Sequence, residues 1–290
     1  MSRRAGGTPA LPFSLGHTGV YWLLVAPALV LMLVFYLYPL TRVLWISVTD
    51  PTPGLDNYAR LFTSASIHNM LLTTARICTI TTAITMLLAY VVSYVITHAS
   101  PAVQRWMFLG ILLPLWISVL VRAFAWVALL RREGIVNSAL LSAGVIDEPL
   151  ALIWNEFGII IGMVHYMLPF GILPLYANMR DIDRRVIAAA RGLGATRFQS
   201  FWRVFLPLSM PGIIGAGVLV FIFSLGFFVT PAILGGGRTL MIAEYISVQI
   251  LDIVRWGVGT MLASTLIIVI FVLLAVLGRI VNLRKLFGAG

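Results

Sequence analysis

The stretch Asn178-Met-Arg-Asp-Ile-Asp-Arg-Arg-Val-Ile-Ala-Ala-Ala-Arg-Gly-Leu-Gly-Ala-Thr-Arg-Phe-Gln-Ser-Phe-Trp-Arg-Val-Phe-Leu-Pro-Leu-Ser-Met-Pro-Gly212 separates two long apolar runs, and how it is read decides the fold. Asp181 or Asp183 is placed to cap a helix, which Val186, Ile187 and the alanines Ala188, Ala189 and Ala190 favour. Gly192 and Gly194 interrupt that helix and predict a turn. A second helix opens at Thr196, where Thr196 and Gln199 match the Thr-x-x-Gln form of a capping box. Phe198, Phe201, Trp202 and Phe205 give the second helix an apolar face, while Arg197 and Arg203 suit lipid headgroups or an acidic protein. Pro207 and Pro211 mark the turn back into the apolar run. On composition alone, a hairpin lying on anionic lipid and a hairpin docking on a protein fit equally well.

Working outward, the hairpin sits inside a chain of 290 residues that is 60% hydrophobic and only 10% charged, with a mean hydropathy of +1.01. Soluble domains carry about 25% charged residues, so a water-solvated domain, a disordered chain and a nucleic-acid binder are all excluded. Six apolar runs are each long enough to cross about 30 Å of hydrocarbon. They cover Val20 to Val48, Met70 to Thr97, Met107 to Leu130, Ile153 to Tyr176, Leu208 to Ile233 and Thr260 to Val281. The first run is far longer than a signal-peptide core and is read as an uncleaved helix. Pro39, Pro114 and Pro169 predict kinks within spans. The expected fold is all-α: a polytopic membrane protein with six transmembrane helices over 20–281, an N-terminal segment 1–19, a hairpin over about 178–207 and a tail 282–290.

Charge predicts the orientation. With the N-terminus in the cytoplasm, the inner segments hold 12 of the 20 basic residues, among them Arg3, Arg4, Arg105, Arg180, Arg184, Arg185, Arg191, Arg197, Arg203, Arg279, Arg284 and Lys285. The outer loops hold five, and Arg42, Arg76 and Arg122 lie within runs. Arg42 and Arg76 are near enough to the outer ends to snorkel. This asymmetry predicts that both termini are cytoplasmic.

The interior is as informative for what it lacks. Apart from Glu156 at an outer end, the runs hold no Asp or Glu, which disfavours an ion-coupled carrier. His165 is the one deep histidine and reads as a packing residue. Arg122 either lines an aqueous path or faces a partner subunit, and the structural reading is preferred. The chain has no His-Glu-x-x-His metal motif, no nucleophile–base pairing and no Gly-x-x-x-x-Gly-Lys-Ser/Thr phosphate loop, and its single Cys78 excludes an internal disulfide. No internal repeat is evident. Gly158 and Gly162, and Gly212, Gly215 and Gly217, have the spacing that lets helices approach closely.

The stretch Ala188-Ala-Ala-Arg-Gly-Leu-Gly-Ala195, followed by Phe201, Val204, Leu206-Pro207 and Pro211-Gly212, resembles the "EAA" loop of ABC importer permeases. Gly54-Leu-Asp-Asn-Tyr58 with Leu61-Phe62, Ile146-Asp-Glu-Pro149 and Val229-Thr-Pro-Ala-Ile-Leu-Gly-Gly236 resemble the spermidine/putrescine type of that family. The resemblance implies the type I ABC importer permease fold in a bacterial inner membrane. It also implies a second homologous permease, two cytoplasmic ATPases carrying ATP and Mg, an external substrate-binding protein and the surrounding lipid as partners, with no cofactor in this chain and no catalysis by it. Ala188, Ala189, Ala190, Arg191, Gly192, Leu193, Gly194 and Ala195 would form the coupling hairpin on the ATPase. The implied cargo is polyamine-like, with another small organic solute or a metal ion as alternatives. A stand-alone carrier or channel is the competing class, opposed by the missing interior acids and by the elaborate hairpin. Phe227, Phe228 and Thr230, beside the break at Pro231, are the candidate path residues. The chain departs from the family where its customary glutamate falls at Ala188, an acidic residue at Gly192, and an aspartate of many relatives at Phe227.

Overall fold

The computed structural model describes residues 17–280. The terminal segments 1–16 and 281–290, with Arg3, Arg4, Arg284 and Lys285, lie outside the described residues. The described chain is helical without strands. Among the described residues five continuous helices are long and apolar enough to span a membrane, and a sharply bent pair brings the number to six where it is counted as one broken span.

The first span joins α1 (His17–Met32) to α2 (Tyr38–Thr49) through one wide π-helical turn, Leu33–Leu37. The expected kink at Pro39 takes this form for a physical reason. Proline has no N–H and its ring collides with the carbonyl four residues back, here Phe35, and a wider turn moves that carbonyl aside. The same device recurs at Phe201–Phe205, two residues ahead of Pro207. Most side chains of the first span are exposed, as expected of a helix at the bundle's edge facing lipid, and only α2 packs inward, on the last span.

The short amphipathic α3 (Asp56–Thr63) leads into α4 (Ala65–His98), whose first turn is capped by Ser64. A seam of small buried side chains runs down α4 (Thr74, Cys78, Thr81, Thr85, Ala89, Ser93) and receives the later helix α8. The third run then differs from expectation. In place of one span over 107–130, α5 (Pro101–Trp116) ends at a sharp break, and the segment Val119–Ser142, which opens with α6 (Val119–Leu130), is bent from it by 99°. Pro114 weakens the last turn of α5, Ile117 donates its N–H only as far as Pro114, and Ile117 and Ser118 are extended. A short α7 (Ile135–Ser142) follows and is clamped by the buried Asn137, whose side chain bonds the Leu150 N–H at 2.9 Å and the Leu150 carbonyl at 3.0 Å.

The central helix is α8 (Glu156–Arg180), capped by Asn155, with over half of its apolar window buried against α4, α5 and the helices that follow. Glu156 in its first turn is ion-paired to Arg76, so Arg76 finds a carboxylate rather than only snorkelling. The hairpin consists of α9 (Arg184–Gly192) and α10 (Arg197–Ser200), and through the wide turn the chain continues into α11 (Leu206–Leu225). A Cβ at Gly212 would lie 2.6 Å from Asn178 Oδ1, and one at Gly162 would run into Leu234 and Thr230. These two glycines do permit close packing, whereas Gly215 has nothing within 4 Å and plays no such part.

The fifth run also breaks early. α11 ends at Leu225 instead of continuing to residue 233, and Gly226 to Phe228 lead into a separate α12 (Val229–Gly235). α13 (Ile242–Ser247) and a wide turn over Val248–Asp252 precede the last span, α14 (Trp256–Ile280). At this end of the bundle Thr74 Oγ1 accepts the Ile242 N–H at 2.9 Å and Asp50 Oδ2 accepts the Gly257 N–H at 2.6 Å, tying the short helices to the spans.

Candidate functional site: the hairpin and the aromatic wall

The hairpin is built from local signals at each corner. Asp183 Oδ1 accepts the Arg185 N–H at 2.8 Å and starts α9. At its end the N–H of Leu193 bonds the Ala189 carbonyl, that of Gly194 bonds Arg191 and that of Ala195 bonds Ala190, at 3.0 to 3.1 Å. Gly194 has φ +91°, the left-handed closure that glycine accepts without a Cβ penalty. Gly192 does not break the helix; it lies in its last turn. The Thr196–Gln199 capping box is formed in both directions, at 3.2 and 3.0 Å.

Of the eight expected docking residues, Ala188, Ala189, Arg191, Gly192, Leu193 and Gly194 are exposed, while Ala190 and Ala195 are half-buried. Leu193 is 91% exposed at the tip, and open space surrounds the Cβ positions of Gly192 and Gly194. The root is the opposite. The four aromatics of the second helix do not share one face; they divide into two pairs at i, i+4. Phe201 and Phe205 turn inward and meet Tyr94 edge-on with ring centroids 5.5 and 5.2 Å away, and Phe205 is buried. Phe198 and Trp202 pack on each other and face outward. Arg184 Nη2 donates to the Thr97 carbonyl at 3.0 Å, fastening α9 to the end of α4.

A second cluster lies between α8 and the end of α11, partly buried. Phe227 packs on Tyr166 (4.4 Å), Tyr166 on Phe170 (5.9 Å) and Phe170 on Phe223 (5.0 Å), a wall shared by α8, the end of α11 and the break beyond it. The Arg122 guanidinium of α6 lies 4.5 Å above the Tyr166 ring, and Trp126 Nε1 donates to His165 Nδ1 at 3.1 Å. The expected pair Phe227 and Phe228 is divided: Phe227 joins the wall and Phe228 is 40% exposed apart from it. Thr230 is buried with its methyl toward Gly162, in the seam between α12 and α8. Sequence reading missed Tyr166, Phe170 and Phe223. The signal was present as two i, i+4 aromatic pairs, 166/170 and 223/227, on separate runs.

At the end opposite the hairpin, a cleft of about 530 Å³ is lined by Asn69, Thr73, Glu156, Arg238, Tyr245 and Gln249. Beside it in sequence, Glu244 of α13 is buried, and burial pushes its carboxyl up to about 7. No cluster of His, Cys, Asp and Glu able to hold a metal occurs among the described residues.

Residues 87–284 match the family model of the binding-protein-dependent transport system inner membrane component. The chain belongs to that family. It is therefore a permease subunit of a binding-protein-dependent ABC importer, a multi-pass protein of the bacterial inner membrane. The permease is 34% identical over 225 residues to the spermidine/putrescine transport system permease protein PotB of Escherichia coli, covering 78% of this chain and 82% of that one. It is 31% identical to PotB of Haemophilus influenzae, over 84% and 81% of the two chains. Among solved structures, a bacterial alginate ABC transporter in complex with its pentasaccharide-bound periplasmic protein superposes with a TM-score of 0.77, at 20% identity over 90% of this permease and 93% of that chain. That likeness supports the fold.

Proposed function

We propose that this permease pairs with a second homologous permease and is driven by two cytoplasmic ATPases that carry ATP and Mg, importing a small polyamine-like solute delivered by an external binding protein. In this reading the hairpin and both termini are cytoplasmic, in line with the basic excess on that side. The observation that carries it is the contrast within the hairpin: a leucine 91% exposed on a tip whose root is fixed by buried aromatics and a backbone-bound arginine. A large exposed apolar side chain on a rigid mount is suited to a partner's cleft. ATP-driven closure of the ATPases pulls on Ala188 to Ala195. The rigid root passes that displacement to α4 and α11, and the bundle switches between inward- and outward-facing states that the ATPase binds differently. The aromatic wall from Phe223 through Phe170 and Tyr166 to Phe227 offers ring faces to organic ammonium groups along the path, with Phe228 exposed beside it and Thr230 holding α12 in place. The polyamine-like cargo rests on the named relatives.

The test is Gly194→Asp in the reconstituted importer. A non-glycine residue at φ +91° costs roughly 1 kcal/mol, too little to unfold the bundle, while the added carboxylate obstructs the docking cleft. Expression and thermal stability should stay near wild type, and ATPase retention and uptake should fall. Wild-type uptake with the ATPase bound would return the hairpin to lipid anchoring. Orientation is checked independently, by impermeant thiol labelling at positions 191 and 147 in a Cys78-free background; labelling of position 191 from outside intact cells would invert the topology.

A further inference from the structure

At the root of the hairpin a pocket of about 260 Å³ opens where the end of α4, the end of α9 and the start of α10 meet. Arg191, Arg197, His98 and Ser200 line it against the rings of Tyr94 and Phe205. The polar lining is rich in donors, and no carboxylate belongs to it. Neither arginine is ion-paired: among the described residues the one ion pair joins Arg76 to Glu156. Asp181 and Asp183 stand at the start of α9, the end away from Arg191. His98 Nδ1 donates to the Tyr94 carbonyl at 2.8 Å, which leaves Nε2 as the free nitrogen of the ring.

Ser200 adds an independent observation. Six serines are buried among the described residues. Ser47, Ser93, Ser209, Ser224 and Ser264 each donate to a backbone carbonyl, at 2.7 to 3.1 Å. Ser200 is 2% exposed, and its Oγ alone among the six has no hydrogen-bond partner. A helical serine ordinarily turns its hydroxyl back to the carbonyl a turn before, and a buried hydroxyl left idle is costly. Here an idle donor and two unpaired guanidiniums border the same space.

We propose that this pocket is an anion site and that its ligand is a phosphate group. A carboxylate is satisfied by one bidentate arginine, whereas a phosphate presents oxygens enough for donors on α4, α9 and α10 together. The apolar wall suits the carbon body of a phosphate ester, whether that body is a lipid headgroup or a soluble molecule. A bound phosphate bridges α9 to α10 across the Gly194 turn and ties both to α4, stiffening the joint through which hairpin motion passes. That consequence rests on the coupling role proposed above; the site itself does not.

The experiment titrates the full-length permease, purified in a phosphate-free maltoside detergent. Melting is followed by scanning fluorimetry, and bound molecules are counted by native mass spectrometry. One arm sets glycerol 3-phosphate against glycerol, the other dioleoylphosphatidylglycerol against dioleoylglycerol, at constant ionic strength. In at least one arm the phosphate compound should raise melting saturably, at one molecule per chain, while its phosphate-free control does nothing. The arm that saturates at the lower concentration identifies the source. Arg197→Gln should weaken that binding about tenfold, and Arg197→Lys less. Ser200→Ala should melt no lower than wild type without ligand, because it removes an idle hydroxyl, yet bind about fivefold more weakly. No shift in either arm, or a shift that Arg197→Gln and Ser200→Ala both leave intact, overturns the inference. So does a permease that binds no phosphate while Arg197→Gln sheds the ATPase, which gives the arginines to an ATPase carboxylate. The binding arms need no ATPase, so their outcome is independent of the Gly194→Asp test of docking.

Discussion

The two ends of the bundle treat their side chains in opposite ways. At the end opposite the hairpin, polar groups turn inward: Asn137 clamps Leu150, Asn57 donates to the Asp50 carbonyl at 2.7 Å, and Thr74 and Asp50 receive backbone N–H groups of distant segments. At the hairpin the chain leaves a leucine, two arginines of α9 (Arg185 and Arg191) and two glycines bare on a mount packed around the buried Phe205. One end ties its own segments together through these bonds. The other is complete as a structure but incomplete as a surface, which is the condition expected of a part that transmits force to a separate protein.

The sharpest way to break that contrast is to attack root and tip separately. Phe205→Ala empties a buried ring site against Tyr94 and Phe201 and should cost about 3 kcal/mol. Its signature is a lowered melting temperature of the isolated permease together with loss of uptake. Leu193→Asp should leave melting unchanged, since the side chain touches solvent, and should release the ATPase. If both variants melt alike, the division into rigid root and free tip is wrong.

The far end offers a test through pH. Glu244 has its carboxyl raised from 4.5 to about 7 by burial. A raised acid favours the folded state only while it stays protonated there, so stability should fall as pH rises from 4.5 to about 7 and level off above. Glu244→Gln removes the ionisation and keeps the shape. It should melt higher than wild type at pH 8 and no higher at pH 4.5, measured by scanning fluorimetry in detergent. An equal gain at both values would show that packing rather than charge is responsible.

What could be read in the sequence follows the range of the interaction that fixes it. The hairpin was legible because its corners are local: Asp183 and Thr196 cap within three residues, and Gly194 needs only its own φ. The spans were legible from length and hydropathy. The bend at Ile117–Ser118 was legible only in part: Pro114 marked a kink, but not its 99° angle or the complete break between two helices. The aromatic wall was not legible, because Tyr166 and Phe227 come together only when α8 and the break after α11 meet. Arg122 was visible as an oddity, but its seat over the Tyr166 ring became apparent only once α6 and α8 were brought together.

The smallest expected effect is Ala188→Glu, and it tests whether the tip's chemistry is set by shape or by charge. Ala188 is exposed at mid-helix, with Arg184 four residues before it, Arg185 three before and Arg191 three after. Glutamate is nearly as good a helix former as alanine, and each i, i+3 or i, i+4 pair with arginine adds roughly 0.2–0.5 kcal/mol. The folded permease should therefore be unchanged or slightly more stable. Arg184 is already committed to the Thr97 carbonyl, so a glutamate that drew it away would loosen the root. Near-normal uptake with a melting temperature equal to or above wild type would mean that the ATPase cleft reads the tip mainly by shape around Leu193 and Gly194. Normal melting with the ATPase lost would mean that the cleft presents an acidic surface matched to the bare arginines, and that the alanine at 188 belongs to a docking face of positive charge.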